Sequence, residues 1–444
     1  MNRRHFVMNS AVAAGVALTS KKLVAASDKV RVAVVGIRGQ GNSHIKAYQG
    51  MPNVEIAALV DIDESVLDKR LGEVEAATKR KPARYTDIRK MLEDKEIDAV
   101  SIATPNHNHA LQTIWALQAG KNVYCEKPQT HNIFESKQVL AAARKYGKIA
   151  QGGVNARSHG GPQEAVGKMR EGLIGDVYMA RGLCFKRRDN IGRAKPEPVP
   201  AGVHYDLWLG PAPKTEFTKN RFHYTWHWFW DYGNGDFGNQ GIHELDIARW
   251  GLGVKYPTKI SAIGGHFMFD DDQQTPNTLN VAYEFNDGGK KRMMVFEVRH
   301  WDTNNEGNLS GVSNAFYGSN GYLGIDGYNK YSSFIGKFEG EPRPGQGAGV
   351  SRNRKIEPGP AKTEGGSNWK NFIDAVVAND PKIQNNDIEE GCISATLMHL
   401  GNIAYRLGRT INFDPEKQVI IGDAEATKMM TRNYRAPFIV PAKV

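Results

Sequence analysis

The sequence predicts an α/β fold in two parts: a doubly wound parallel sheet, followed by an α+β domain with a large, mainly antiparallel sheet. Short apolar runs alternate with helical segments up to about residue 152, and longer strand-like stretches with hairpin turns follow. The 444 residues are about three times the length of one average domain. With 40% hydrophobic and 24% charged residues, the composition is that of a globular protein.

The first part consists of β–α–β units. Val30–Val35 is a buried-strand run, a glycine-rich turn follows it, and Val54–Val60 is a second strand that ends in Asp61. Further strands are predicted at 99–103, 122–125 and 149–151. Strands that alternate with crossover helices form a parallel sheet. The sequence therefore predicts a dinucleotide-binding Rossmann domain over residues 28–152.

The remaining residues, 153–444, have a different pattern. Long strand-like stretches are predicted at 177–186, 259–269, 279–285 and 291–298, with turn sequences such as Asn286–Gly289 between them. Helices are predicted at 162–171, 369–378 and 389–407. This pattern predicts a second, α+β domain with an antiparallel sheet.

Residues 1–26 have the three parts of an export signal. Arg3 and Arg4 precede a weakly apolar run that is too short to span a membrane, and small residues at Val24–Ala26 suit a cleavage site. The segment resembles a twin-arginine signal, which implies a periplasmic protein; an ordinary secretory signal and an uncleaved anchor are the alternatives. No transmembrane segment is predicted.

The formal net charge of +10 suggests a nucleic-acid binder only until the signal is removed. Four of the positive charges and no acid lie in residues 1–26, which leaves +6 for the rest. No compact basic stretch with a nucleic-acid-binding signature remains, so no such partner is expected. Three cysteines are too few for a disulfide scaffold.

The turn after the first strand is a variant of the dinucleotide fingerprint G-x-G-x-x-G. Gly36 and Gly41 take the first and third positions, but Arg38 takes the second and Gly39 is shifted by one. Glycines let the backbone approach a pyrophosphate, and the following helix N-terminus supplies N–H donors. We therefore expect the whole turn to bind the cofactor: Gly36, Ile37, Arg38, Gly39, Gln40 and Gly41.

Asp61 lies 25 residues after Gly36, at the end of the second strand. A carboxylate there accepts hydrogen bonds from the ribose 2′-hydroxyl and repels a 2′-phosphate, which favours NAD over NADP. Arg38 is able to hold a phosphate, so NADP stays an alternative. A helix cap is the alternative role for Asp61.

Two further segments follow strands of the parallel sheet: Ala103–His109 and Cys125–Pro128. Together with the turn at Gly36, they resemble the Gfo/Idh/MocA oxidoreductases, the family of glucose-fructose oxidoreductase and inositol dehydrogenase. The resemblance covers nearly all of the chain after the signal and includes Gly233–Asp246 and Tyr434–Pro437. It implies an enzyme that acts on a sugar or polyol hydroxyl by hydride transfer.

The resemblance also implies roles for individual residues. Lys127 of the Glu126-Lys127-Pro128 motif would lie beside the nicotinamide and the substrate hydroxyl; a solvated surface lysine is the alternative. His243 would be the general acid or base, and a structural histidine is the alternative. The family's aspartate four residues earlier is replaced by Asn239, which can bind a hydroxyl but cannot accept a proton. Other expected cofactor contacts are Thr104, Asn106, His109 and Glu126.

Substrate contacts are expected after the last strand of the first domain, at Asn155 and Arg157. The aromatic run 222–230 contains Trp228 and Trp230, which either stack on a sugar or belong to a buried cluster. His223 and His227 in this run have a metal-ligand spacing but no third ligand, so no metal is expected. Cys125 is expected to be a small buried residue and not a nucleophile.

Export and a nicotinamide cofactor together favour NAD that is tightly bound and regenerated in each cycle, because free cofactor is scarce outside the cytoplasm. The favoured function is a sugar or polyol oxidoreductase. An NAD-dependent glycosidase, lyase or epimerase that works through a transient keto-sugar is the alternative, and a noncatalytic binding protein is the third. The resemblance also leads us to expect a homo-oligomer formed through the open sheet.

Overall fold

The computed structural model describes residues 29–301, 306, 309–336, 355–359 and 366–444. The predicted signal, residues 1–26, lies outside them. In the described ranges, no helix combines the length and apolar character that crossing a membrane requires.

The first sheet is parallel, as the β–α–β pattern predicts, and has six strands, of which the short edge strand β3 was not predicted. They lie in the order β3-β2-β1-β4-β5-β6. Strands β2 and β3 are therefore added on one side of β1 and strands β4 to β6 on the other, and the switch point lies between β1 and β4. At this point of a doubly wound sheet the loops after the strands separate and leave a binding crevice. The strands are β1 Val30–Val35, β2 Val54–Val60, β3 Ala83–Tyr85, β4 Ala99–Ile102, β5 Asn122–Cys125 and β6 Ala150–Gly152; the helices are α1 Gln40–Gln49, α2 Glu64–Thr78, α3 Ile88–Met91, α4 Asn106–Gln118 and α5 Ile133–Tyr146.

The second sheet has ten described strands and is antiparallel except for one central pair, β7 with β10. Strands β11 to β14 extend the sheet on one side of this pair, and β9, β8, β15 and β16 extend it on the other. The strands are β7 Val177–Phe185, β8 Lys259–Gly265, β9 Thr278–Asp287, β10 Lys290–Arg299, β11 Val312–Gly318, β12 Gly321–Asp326, β13 Lys330–Ile335, β14 Lys355–Pro358, β15 Ile411–Asp414 and β16 Val419–Ile421; the helices are α6 Gly160–Arg170, α7 Tyr205–Leu209, α8 Gly235–Asn239, α9 Gly241–Leu252, α10 Asn368–Ala378, α11 Ile388–Leu407 and α12 Ala424–Lys428.

Helices α9 and α11 cover one face of the second sheet, and glycines let α9 approach closely. A Cβ atom at Gly182 of β7 would lie 3.0 Å from the Glu244 carbonyl oxygen, and one at Gly241 would lie 2.3 Å from the Phe296 ring. The opposite face exposes Ile263 and Met293. Assembly through that face stays a prediction.

The core of the first domain includes a helix from the far end of the chain. Phe372 and Ile373 of α10 are buried in the same cluster as the β1 side chains Val32 and Val34. The Asn368 amide at the start of α10 donates to the Gly152 carbonyl at the end of β6 (3.0 Å). The residues between 28 and 152 therefore form the sheet, but α10 completes the core that supports it.

Replacing Phe372 by Ala should destabilise the first domain, because its fully buried ring belongs to the same core cluster as the β1 side chains and meets the Tyr124 ring of β5 edge to face, 5.8 Å between ring centroids. We expect a loss of about 3–5 kcal/mol in the free energy of unfolding. Urea denaturation and amide hydrogen exchange of β1 measure this loss. Val377→Ala, on the exposed side of the same helix, is the control. Unchanged exchange in β1 of F372A would show that α10 does not support the first sheet.

Candidate active site between the two sheets

A cleft of about 520 Å³ lies where the loops after β1, β2, β4 and β5 face the helices of the second domain. The first-domain loops contribute most of the expected cofactor residues: Gly36, Arg38, Gly39, Gln40, Asp61, Thr104, Asn106, His109, Glu126 and Lys127. Three of the expected substrate residues also line it: Asn155, Asn239 and His243. We call the part beside the glycine-rich turn the cofactor half and the part beside His243 the substrate half.

The glycines of the turn have different functions. Gly36 has a φ of 79°, and a Cβ there would lie 2.8 Å from the Ala103 carbonyl carbon. A Cβ at Gly41 would lie 2.1 Å from the Gly36 carbonyl oxygen, so these two glycines let the turn and the helix pack together. A Cβ at Gly39 would meet no atom within 4 Å. The shifted glycine thus leaves open space at the α1 N-terminus, where backbone N–H groups can face a pyrophosphate.

Ile37 lies outside the lining, because its side chain is fully buried and its N–H donates to Asp61 Oδ2 (2.8 Å). The other Asp61 oxygen accepts the Asp63 N–H (3.0 Å). The cap of α2 is Asp63, whose side chain accepts from the Ser65 and Val66 N–H groups, so Asp61 is not the cap. Burial raises the pKa of Asp61 to about 6. Arg38 is exposed at the edge of this half.

Three of the expected cofactor residues follow β4 and line the cofactor half, but two of them have their polar atoms engaged. The ring nitrogens of His109 lie 2.6 Å from the Thr104 carbonyl oxygen and 2.7 Å from that of Pro128, so the ring joins the β4 and β5 loops. The Thr104 hydroxyl donates to Gln112 (2.8 Å). The Asn106 Nδ2 amide is buried with no partner among the described residues, so it is available to a bound cofactor.

Glu126 is a buried carboxylate with several donors of its own. The His44 ring lies 3.0 Å from its Oε1, the Gln40 amide donates to the same oxygen, and the Lys127 N–H donates to Oε2. Burial acts to raise the pKa of Glu126, but the His44 hydrogen bond and the nearby positive charges outweigh it and lower the pKa to about 2. Glu126 is therefore an anion that fixes the start of the Glu-Lys-Pro segment.

Lys127 points into the cleft between the two halves. Its peptide bond to Pro128 is cis, and its ammonium donates to the Asn239 carbonyl oxygen (2.6 Å). Burial lowers the pKa of Lys127, and the cations Arg188 and Lys186 lower it further, whereas Glu126 raises it. The sequence-based alternative of a solvated surface lysine does not fit this position.

The buried carboxylate of Asp236, which lies next to Asn239, explains why position 239 is an asparagine. The Asn239 amide donates to Asp236 Oδ1 (3.1 Å), and Arg188 holds the same buried carboxylate with two hydrogen bonds of 2.9 and 3.0 Å. Burial opposes ionisation of Asp236, but His300 and Arg188 hold its pKa well below the usual range. An aspartate at 239 would place two carboxylates in contact, so asparagine is the residue that this arrangement accepts.

His243 lines the substrate half from the first turn of α9. Burial lowers the pKa of His243 to about 3, and the Lys127 charge adds to this, so the imidazole is neutral at pH 7. Its Nδ1 atom is buried and has no hydrogen-bond partner among the described residues. Among the described residues, no carboxylate accepts a hydrogen bond from this Nδ1 atom.

Two expected substrate residues lie elsewhere. The Arg157 guanidinium is buried against Asp246 (2.7 and 3.1 Å) and Glu390 (2.8 Å), so its donors are engaged in a structural ion-pair network. The Trp230 ring packs under the Arg406 guanidinium, 4.9 Å away, and is not part of the cleft. Trp228 is also buried outside the lining.

The aromatic run reaches the cleft through four other residues. His223, Tyr224, Trp226 and His227 line it, and the His223 ring lies 2.9 Å from Asp63 Oδ2, beside the cofactor half. Sequence reasoning missed them because an aromatic run shows no sign of which side chains face a cleft. In the described ranges, no three His, Cys, Asp or Glu side chains group as a metal site. Cys125 is fully buried, as expected.

Protonation of Asp61 should weaken binding of added NAD, because only the ionised carboxylate can accept two ribose hydroxyl hydrogen bonds. The dissociation constant should rise about tenfold per pH unit as the pH falls below about 6, and it should be constant above. Fluorescence titration measures it in cofactor-free protein. Asp61→Asn should bind weakly and independently of pH, while exposed Asp68→Asn should keep the profile. The same pH dependence in D61N would contradict the assignment.

Comparison with known proteins agrees with this geometry. Residues 30–154 match the family model of the oxidoreductase family with an NAD-binding Rossmann fold, and residues 182–315 and 354–440 match that of its C-terminal alpha/beta domain. A glycosyl hydrolase family 109 protein of Shewanella pealeana is 29% identical over 202 residues, 40% of this chain and 44% of its own. The uncharacterized oxidoreductase YrbE of Bacillus subtilis is 26% identical over 233 residues, 52% of this chain and 56% of its own.

The chain thus spans about half the length of these curated relatives. Among solved structures, the aldose-aldose oxidoreductase of Caulobacter crescentus complexed with glycerol has the same fold, with a TM-score of 0.61 and 18% identity over 87% of this chain and all of that one (100%). The two family models cover most of the described residues in the same two-domain order. The chain therefore belongs to the Gfo/Idh/MocA oxidoreductase family.

Proposed function

We propose that this protein is an NAD-dependent oxidoreductase that transfers hydride from a sugar or polyol hydroxyl carbon, with Lys127 and His243 as its catalytic residues. The observation that carries the proposal is the position of the Lys127 ammonium. It lies at the junction of the cofactor and substrate halves, held by the Asn239 carbonyl. The family membership and the name of the Caulobacter structure support the same reaction class.

The residues present fit a dinucleotide. Open space at Gly39 admits a pyrophosphate, Asp61 provides acceptors for ribose hydroxyls, and the orphaned Asn106 amide offers a free donor. A bound nicotinamide supplies the hydride acceptor. The fit is to NAD more than to NADP, because the Asp61 carboxylate would repel a 2′-phosphate.

Residues of the chain bind the reacting hydroxyl oxygen of the substrate and accept its proton. The Lys127 ammonium donates to the Asn239 carbonyl oxygen (2.6 Å) and to its side-chain oxygen (3.5 Å), which leaves one N–H to hydrogen-bond the reacting hydroxyl oxygen. This donor and the positive charge stabilise the negative charge that develops on the oxygen as the C–H bond breaks. The neutral His243 imidazole is able to accept the hydroxyl proton, and the lowered pKa of Lys127 eases proton exchange between them.

The aromatic run supports retention of NAD through the cycle. His223, Tyr224, Trp226 and His227 face the loops that hold the cofactor, and the His223–Asp63 contact joins the run to the first domain. A cofactor between these layers leaves only after the contact opens. Denaturing freshly purified protein should release NAD in near-stoichiometric amounts.

A second function is favoured by the curated relatives. A glycosyl hydrolase family 109 protein is among them, and a glycosidase that oxidises and then reduces its substrate also requires retained NAD. The intact Glu126-Lys127-Pro128 segment favours the oxidoreductase instead. Reduction of the bound NAD by a sugar, with NADH that persists at 340 nm, identifies the oxidoreductase, and release of an aglycone without net NADH identifies the glycosidase.

Replacing Lys127 by Met should slow turnover about 10²- to 10⁴-fold, because it removes the cation and the proton donor but keeps the length of the side chain. The absorbance of bound NADH at 340 nm after mixing with candidate sugars measures the rate. NAD content should match the wild type, and exposed Lys95→Met is the control for a lost surface charge. A K127M variant with full activity would refute the mechanism.

We also propose that the protein is exported in folded form by the twin-arginine route, on the basis of Arg3, Arg4 and the small residues near Ala26. Exchange of both arginines for lysine should leave the precursor in the cytoplasm, because the route requires the arginine pair. Immunoblots of periplasmic and cytoplasmic fractions measure the distribution, with Lys21→Arg as control. Continued export of R3K/R4K would indicate the ordinary secretory route.

A further inference from the structure

Lys186 is an exposed lysine at the edge of the substrate half. Lys186 directly follows β7, and its ammonium donates to the Gln240 side-chain oxygen (3.0 Å). Gln240 lines the cleft and is itself fixed, because its amide nitrogen donates to the Tyr328 hydroxyl (2.8 Å) and to Glu244 (3.2 Å). The Lys186 ammonium is thus anchored beside the site while two of its N–H groups remain available.

No carboxylate among the described residues lies within ion-pair distance of the Lys186 ammonium. The two acids behind this half already have partners. Asp236 is held by Arg188 and Asn239, and burial raises the pKa of Glu244 to about 7 where it accepts from Tyr328, so it is partly neutral at pH 7.

The acids that do line the cleft lie on first-domain loops. Asp61 and Asp87 follow β2 and β3 at the cofactor half, and Glu126 is saturated by His44 and Gln40. The substrate half is therefore lined by the cation Lys127 and, among the described lining residues, by no free carboxylate, and the Lys186 ammonium lies next to this half through its hydrogen bond to Gln240. Lys186 is also one of the cations that lower the pKa values of Lys127 and His243, as expected for a charge near both groups.

We propose that the substrate is an anionic carbohydrate, and that Lys186 binds its acidic group while Lys127 contacts the reacting hydroxyl. This inference rests on the proposed function and adds the substrate class. A carboxylate, a phosphate ester and a sulfate ester share the required chemistry, because each offers a charged acceptor to an ammonium. A neutral sugar would leave the Lys186 charge without a counterpart.

The test is a comparison of matched ligands by calorimetry on the full chain with its bound NAD. Glucose is compared with glucuronate, glucose 6-phosphate and glucose 6-sulfate, and galactose with galacturonate. At least one anion should bind about 10- to 100-fold more tightly than its neutral counterpart, as expected for a hydrogen bond to a charged group. The preference should fall as salt screens the pair. The anion that binds best identifies the source of the charge.

Lys186→Met should abolish this preference and leave binding of the neutral sugars unchanged, because the methylene chain remains. Lys186→Arg should keep part of the preference for the anion. Lys195→Met, at an exposed position on the segment that follows, should keep all of this preference. The inference is overturned if every anion binds no more tightly than its neutral counterpart, or if the preference survives in K186M.

Calorimetry separates this inference from the proposed function. Preferred binding of an anion that depends on Lys186 supports the inference even where no NADH forms at 340 nm, and in that case the proposed reaction fails. NADH formation from neutral sugars with no anion preference supports the reaction and overturns the inference.

Discussion

The hydrogen bond from the Lys127 ammonium to the Asn239 carbonyl (2.6 Å) is the interaction on which the rest of the site depends. Lys127 follows β5 of the first domain, whereas Asn239 is the last residue of the short helix α8 in the second domain. The hydrogen bond therefore forms only when the two domains position both segments correctly. Glycines make that placement possible. Gly182 and Gly241 bring α9 onto the second sheet, and Gly36 brings the cofactor turn against the β4 loop.

The buried charges follow one rule: each carboxylate around the site has its own donors before any ligand binds. Glu126 has His44, and Asp236 has Arg188. Burying a charge is costly unless it is paired and hydrogen-bonded, so these pairs let ionised groups remain in the interior. Glu126 and Asp236 are thus satisfied before a ligand binds, whereas Asp61, which accepts two backbone N–H groups, keeps acceptor capacity for ribose hydroxyls.

The sequence predicted the first sheet and the cofactor half well, because the signals there are local. A buried strand, a turn and a helix lie within one short segment, so Gly36 and Asp61 could be placed from spacing, and Lys127 could be placed from the resemblance to the family. Arg157 could not, since its partners Asp246 and Glu390 are 89 and 233 residues away in the chain and only the fold brings them together. Trp230 faces Arg406 for the same reason.

The second sheet was predicted only in part. Strands β11 to β13 contain glycine and serine at several positions, and the buried positions of β11 and β12 are consecutive, so these strands lack the alternation that marks a strand with one buried face. The aromatic run was ambiguous because aromatic residues suit a cleft and a core equally. In the structure the run does both: Trp226 and Phe229 belong to a buried cluster, while Tyr224 is half exposed beside the cofactor loops.

The packing of α10 into the core of the first domain sets the order in which the molecule can mature. The β–α–β units leave the ribosome first, but Phe372 and Ile373, which close the core beneath β1, are synthesised more than 200 residues after β6. The cofactor domain therefore lacks part of its interior until most of the chain has been made. We therefore expect NAD to bind only after α10 has been synthesised, because a chain that ends before α10 lacks part of the core of its dinucleotide-binding domain.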